Sequence, residues 1–157
     1  MVTDRLFALP QSEATSDDHY TPKHVFESLN LTFDLDVAAP PGGVPWIPTK
    51  RFYTMEDDGL TQPWFGRVWM NPPYSNVTPW IEKFVAHANG VGLVPLVKSY
   101  WLATAWQLVD GFTMLYDPNN MKFERPHGKP KPIMFPVAII SMGKENVEAA
   151  KRLGPTR

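Results

Sequence analysis

Apolar and polar side chains alternate along this chain in short strand-like runs separated by stretches of helical spacing. Phe33-Asp34-Leu35-Asp36-Val37 has period two and reads as a strand over residues 31–39 that ends in small side chains. Residues 67–70 and 91–97 are compact apolar runs, as expected of buried strands, and residues 112–116 and 136–141 add two more. Between them, Val25, Phe26 and Leu29 recur at helical spacing, and Trp80, Ile81, Phe84, Val85 and Ala88 form a broader apolar face. Residues 100–108 and 144–153 read as two further helices. Thr21-Pro22 and Thr78-Pro79 precede the first two, which predicts threonine as N-cap and proline at the first helical position. Residues 40–50 are a Pro/Gly loop, Phe52-Tyr53 a short strand, Glu56-Asp57-Asp58-Gly59 an acidic turn and residues 119–132 a long polar loop.

Strands alternating with helices imply βαβ units, hence an α/β fold whose twisted, mainly parallel sheet carries helices on both faces. In such sheets ligands gather at the carboxyl ends of the strands. Two segments reach such ends: Asp36-Val37-Ala38-Ala39 and Asn71-Pro72-Pro73-Tyr74. The 157 residues suit one domain, drawn here as residues 19–157 behind a polar tail, residues 1–18.

Composition narrows the chemistry. With no cysteine, disulfides, thiolate catalysis and cysteine-bound zinc are out, and a reducing cytoplasm is the expected setting. His19, His24, His87 and His127 are scattered without metal-ligand spacing, so no metal is expected. The sequence has no apolar run of membrane-spanning length and no signal-peptide pattern at its start. A net charge of −1 means that any nucleic-acid contact must come from a local basic patch.

The Asn71-Pro72-Pro73-Tyr74 corner carries the most specific chemistry. Proline fixes its own φ and restricts the residue before it, so Asn71 and Pro72 are held before any substrate arrives. The exocyclic amine of a base is a poor nucleophile because its lone pair is delocalised into the ring. If the Asn71 oxygen and a nearby backbone carbonyl both accept hydrogen bonds from it, the nitrogen becomes more pyramidal and more nucleophilic. Tyr74 can stack on the base so held. Proline pairs are cheap in a chain with 17 prolines and a second pair at Pro40-Pro41. The asparagine before, the tyrosine after, the strand feeding the corner and the helix leaving it set this pair apart.

Taken together, Tyr20-Thr21-Pro22, Asp34-Leu35-Asp36-Val37-Ala38-Ala39, Asp57-Asp58-Gly59-Leu60 with Trp64, and Val68-Trp69-Met70-Asn71-Pro72-Pro73-Tyr74 resemble the phage-type DNA N-6-adenine methyltransferases, the Dam family. A later Lys122-Phe123 ahead of Phe135-Pro136-Val137-Ala138 extends the likeness to about residue 141. The resemblance implies an abbreviated Rossmann-like methyltransferase fold, S-adenosylmethionine as cofactor, and methyl transfer to the N6 amine of adenine in DNA. It implies cofactor contacts from Tyr20, Thr21, Pro22, Asp36, Ala38, Asp58, Leu60 and Asn71, with Asp34 as the register alternative to Asp36 and Trp64 as an alternative to Leu60. Asn71, Pro72, Pro73 and Tyr74 would hold the methyl acceptor. Ala38-Ala39-Pro40-Pro41-Gly42-Gly43 stands where many methyltransferases carry a Gly-x-Gly loop, a departure from the pattern.

A base inside a duplex cannot reach such a corner, so a flipped-out adenine or a single strand is the expected substrate. Lys98, Lys122, Arg125, Lys129 and Lys131 are the candidate nucleic-acid contacts, the last four inside the 119–132 loop. A phage-encoded enzyme would work in the host cytoplasm. Other planar amines fit the same corner: cytosine N4, guanine N2 in RNA, or a glutamine side chain. A nucleic-acid-binding module without catalysis is the rival from another class. A nucleotide hydrolase would need a Gly-Lys-Ser/Thr loop or a metal carboxylate pair, and neither occurs.

Overall fold

The computed structural model describes residues 20–96, 100–115, 122–123, 131–132 and 136–157; the tail expected at residues 1–18 lies outside them. Among these residues the strands are β1 (Leu35–Asp36), β2 (Val68–Met70), β3 (Gly90–Pro95), β4 (Gly111–Met114), β5 (Lys122–Phe123), β6 (Lys131–Pro132) and β7 (Val137–Met142). The helices are α1 (Lys23–Leu29), α2 (Thr78–His87), α3 (Tyr100–Leu108) and α4 (Lys144–Ala150).

Five strands form one sheet in the order β1-β2-β3-β7-β4. β1, β2 and β3 pair in parallel, as the alternating pattern predicts. β7 then enters antiparallel between β3 and β4 and pairs with both, so the sheet is mixed. Its apolar positions read the same in either direction, which is why periodicity gave no sign of the reversal.

Period-two alternation assigns each face its core. Val68 and Met70 join Ala138 and Ile140 in a cluster covered by α2 and α3 through Trp80, Ile81, Phe84, Trp101 and Ala105. Trp69 points the other way and joins Val91, Leu93, Val137 and Ile139 under α1 and α4, through Val25, Phe26, Leu29, Ala149 and Ala150. Phe26 and Phe33 meet the Trp69 ring edge-on, at centroid distances of 4.6 Å and 5.8 Å. Helices therefore cover both faces.

The helix starts differ from expectation by one residue. Pro22, not Thr21, is the N-cap of α1, because its ψ of 151° is still extended. In α2 the cap is Val77; Thr78 is already helical, and the proline sits in the first turn. The strand expected over residues 31–39 shortens to Leu35–Asp36. On its outer side single parallel bridges, Phe33 to Thr49 and Asp36 to Phe52, replace a continuous neighbour, and Phe52-Tyr53 contributes only such a bridge. The 119–132 loop is also corrected in part: Lys122 pairs with Pro132 and Phe123 with Lys131 in an antiparallel two-stranded ladder.

Candidate active site

β1 and β2 bring the two sequence motifs together at their carboxyl ends. Asp36 lies opposite Trp69 in the ladder, and the Val37 amide donates to the Trp69 carbonyl at 3.0 Å. Ala38 and Asn71 therefore leave the sheet from adjacent strand ends. After Asn71 the chain turns at once: the Asn76 amide donates to the Pro73 carbonyl at 3.1 Å, and α2 begins two residues later. Pro72 is buried, while Asn71 and Pro73 are half-buried. Tyr74 is half-buried too, packed against the cluster that contains Phe26 and Trp69. Its ring is braced by that cluster instead of standing clear in solvent.

Asp36 is 3% exposed. The Ala38 amide donates to its carboxylate at 3.2 Å. Burial pushes the Asp36 carboxyl up to about 7, and that one backbone donor only partly counters it. The group lines a pocket of about 160 Å³ together with Gly42, Gly43, Val44, Pro45, Ile47, Thr49 and Phe52. Most of this wall is the Pro/Gly loop. Pro40-Pro41-Gly42-Gly43 closes a turn through the Gly43 amide and the Pro40 carbonyl, 2.9 Å apart. Proline at the second position and a φ of 81° at Gly42 are what a type II turn demands. The proline pair that replaces the Gly-x-Gly pattern thus builds a tight loop over the strand end. No sequence signal marked Val44, Ile47, Thr49 or Phe52 as pocket residues, since their convergence depends on the parallel bridges to β1.

Asp34, the register alternative, does not share this place. Its carboxylate accepts from the Arg67 amide at 2.7 Å, at the amino end of β2. There the Arg67 side chain also donates to Asn146 at 2.7 Å and pairs with Glu145 at 2.8 Å. That polar group ties the amino ends of β1 and β2 to α4.

The segment before α1 is tied to the Pro/Gly loop by the bond from the Trp46 indole N–H to the Thr21 carbonyl at 2.8 Å. Thr21 is 1% exposed, and its hydroxyl has no hydrogen-bond partner among the described residues. Such a buried hydroxyl costs about 1–3 kcal/mol unless something satisfies it. Tyr20 is half-buried and Pro22 buried.

The acidic turn arrives at the same strand end. Gly59 packs so closely on β1 that a side chain there would overlap the Val37 carbonyl oxygen and press on the Trp80 ring. Asp58 is exposed, has a φ of 60°, and accepts from the Leu60 amide at 3.3 Å. Leu60 leans half-buried against the core. The Trp64 ring, the alternative partner for a cofactor base, is engaged otherwise: its N–H donates to the Gly59 carbonyl at 2.7 Å and the ring stacks on Trp80. Gly59→Ala should lower stability by about 2–3 kcal/mol, because the overlap is with backbone and cannot be relieved by a rotamer change. Denaturant unfolding checks this; an unchanged midpoint would show that the loop can move off β1.

Asp36, Ala38 and Asn71 stand at the carboxyl ends of β1 and β2, and the turn that carries Asp58 and Leu60 packs on Val37 there. Lys98, Arg125 and Lys129 lie outside the described residues; Lys122 and Lys131 fall in β5 and β6. No group of three or more histidine, aspartate or glutamate side chains able to hold a metal occurs among the described residues. Nor is any helix among them long and apolar enough to cross a membrane.

Comparison with known proteins bears on the family of this chain. The family model described as DNA N-6-adenine-methyltransferase (Dam) matches residues 10–114. A DNA N-6-adenine-methyltransferase of Haemophilus phage HP1 (strain HP1c1) is 37% identical over 71 residues, which is 45% of this chain and 37% of that protein. The match thus spans little more than a third of the relative's length.

Proposed function

The chain belongs to the DNA N-6-adenine-methyltransferase (Dam) family, and on that footing we propose that it transfers a methyl group from S-adenosylmethionine to the N6 amine of adenine in DNA. The carrying observation is the meeting of three segments at the carboxyl ends of β1 and β2: buried Asp36, the turn around Gly59, and Asn71. The matching family model and the phage relative's name support adenine as the acceptor.

The residues present fit the cofactor. A buried carboxyl with a single backbone donor is poorly compensated when ionised, so a cationic ligand beside it is favoured. The pocket of about 160 Å³ is smaller than the roughly 300–1,000 Å³ that encloses a whole drug-sized ligand. It therefore takes one end of the cofactor. Asp36 holds the cationic or ribose end with Ala38. Tyr20, Thr21 and Pro22 close on the methionine part, where the buried Thr21 hydroxyl gains a partner. Asp58 and Leu60, on the turn against β1, take the adenine ring.

When bound, the cofactor supplies an electrophilic methyl carbon on a positively charged sulfur. The protein's part is positioning. The Asn71 side-chain oxygen accepts a hydrogen bond from the target amine and localises its lone pair on nitrogen. Pro72 and Pro73 fix the direction of approach, and Tyr74 offers its ring face to the base. In-line transfer would break the methyl–sulfur bond as the carbon–N6 bond forms, the cofactor would leave as a neutral thioether, and the amine proton would pass to water. The overall fold is the Rossmann-like methyltransferase architecture, with β1–β3 as its parallel core. Flipping or single-stranded presentation brings the base to the corner.

DNA is held by Lys98 and by the basic segment of Lys122, Arg125, Lys129 and Lys131. The observation behind this is topological. β4 ends, and β7 begins, at the edge where Asn71 lies, and the Leu96 amide bonds the Pro136 carbonyl at 2.7 Å there. Replacing Lys129 and Lys131 by alanine should weaken DNA binding and flatten its dependence on salt, each lost phosphate contact removing about 0.9 from the log–log slope. An unchanged slope would take these two lysines out of the interface.

The test of the function is incubation with radiolabelled S-adenosylmethionine and unmethylated DNA, followed by nucleoside analysis. Label in N6-methyladenine is the expected result. Label in N4-methylcytosine would redirect the assignment, and no transfer to nucleic acid would overturn it.

A further inference from the structure

Lys83 lies on α2, outside every motif that the methyl-transfer reading uses. Its ammonium donates to the carbonyls of Gly59 at 3.1 Å and Leu60 at 2.9 Å, and also to that of Gln62. The same ammonium lies 5.1 Å from the centre of the Trp64 ring, a cation–π contact that costs it little further desolvation. Trp64 in turn donates its indole N–H to the Gly59 carbonyl. Two donors from different parts of the chain therefore converge on one peptide oxygen, directly behind Asp58 and Leu60. Burial lowers the lysine's proton affinity and the nearby Asp58 charge raises it.

Holding one ammonium among three carbonyls is more than loop closure requires. The turn already bonds itself, through the Thr61 and Gln62 amides to the Asp58 carbonyl at 2.9 Å and 3.2 Å. What Lys83 adds is a link to α2, the helix that leaves the Asn71–Tyr74 corner. Trp80, one turn earlier on the same face of α2, also lies close to Gly59, where an added side chain would meet its ring.

We infer that Lys83 is a positioning residue for cofactor binding: by fixing the 59–62 turn to α2 it sets Asp58 and Leu60 at a constant distance from the Asn71 corner. This rests on the reading of Asp58 and Leu60 as cofactor contacts. Lys83 touches neither cofactor nor base. Its effect falls on cofactor affinity and not on the chemical step.

The experiment compares Lys83→Met, Lys83→Arg and Asp58→Ala with the unaltered protein, by calorimetric titration of S-adenosylmethionine and by kcat at saturating cofactor and DNA. Lys83→Met keeps the aliphatic stem and removes every donor. Its Kd should rise about tenfold, as expected for losing hydrogen bonds from a charged group. Its kcat should stay within about twofold, and Lys83→Arg should recover most of the affinity because a guanidinium can reach the same carbonyls. If Lys83→Met fails to fold, Trp64→Phe removes the second donor to Gly59 while leaving a smaller aromatic ring beside Lys83; its Kd should rise by a smaller factor. An unchanged Kd in the folded variant would overturn the inference, as would kcat falling in step with affinity. Loss of binding in Asp58→Ala with none in Lys83→Met would sink the role of Lys83 alone. Absence of binding to the unaltered protein would sink the cofactor reading beneath it.

Discussion

Asn71→Ala should lower methyl transfer by about a hundredfold or more, the usual result of deleting one preorganised polar contact to a reacting group. Cofactor affinity should change only a few-fold, since the substitution leaves Asp36 with its pocket, and the turn around Gly59, intact. The reason lies in the backbone. Asn71 follows the fully buried Met70 and precedes two prolines, so its side chain is placed by a strand end and a restricted turn. Asn71→Asp keeps an acceptor oxygen there and should retain more activity than Asn71→Ala. Single-turnover kinetics with cofactor titration separates the cases. If alanine reduces binding and chemistry to the same degree, Asn71 is a structural residue of the corner, and the amine must be held elsewhere.

The second large effect concerns pH. Asp36 has its carboxyl pushed up to about 7 by burial, whereas in the unfolded chain it titrates near the usual value of about 3.9. A carboxyl raised on folding contributes stability that is complete below the unfolded value and is lost as pH rises through the folded one. Between about pH 4 and pH 7 the unfolded chain has released this proton while the folded chain still holds it, so stability falls as pH increases. The whole difference is roughly 4 kcal/mol. Asp36→Asn imitates the protonated carboxyl at every pH. It should match the parent near pH 4 and exceed its stability by up to about 4 kcal/mol at pH 8. The same change removes the negative charge that a cationic cofactor would meet, so a more stable protein that binds S-adenosylmethionine poorly is expected. Urea unfolding of both proteins from pH 4 to pH 8 is the check. Parallel stability curves would mean that Asp36 ionises freely in the folded state.

Much of the architecture was legible because it depends on local pattern. Val68-Trp69-Met70 is a compact apolar run that forms β2, and its side chains divide between the two cores as a strand requires. Pro40-Pro41-Gly42-Gly43 has the residues of a type II turn and forms one. Errors arose where two local readings were nearly equal in energy. Thr-Pro is a good helix opening in more than one register, and packing of Val25, Phe26 and Leu29 beneath the sheet fixed Pro22 as the cap. The outer half of the expected first strand was lost for a similar reason. A strand needs a continuous neighbour, and the Pro/Gly loop returns only single bridges.

The sequence by itself determined which runs form strands and which form helices, and that a stiff Asn-Pro-Pro-Tyr corner follows one strand. Periodicity and proline restraint act within a few residues, and they are written in the order of the side chains. Tertiary structure alone decided that β7 runs against its neighbours, that Asp36 is buried in a pocket while Asp34 braces the amino end of β2, and that Lys83 grips the turn carrying Asp58. Each of these depends on contacts between segments distant in the chain, where strand direction, desolvation and hydrogen-bond partners are set by what packs alongside.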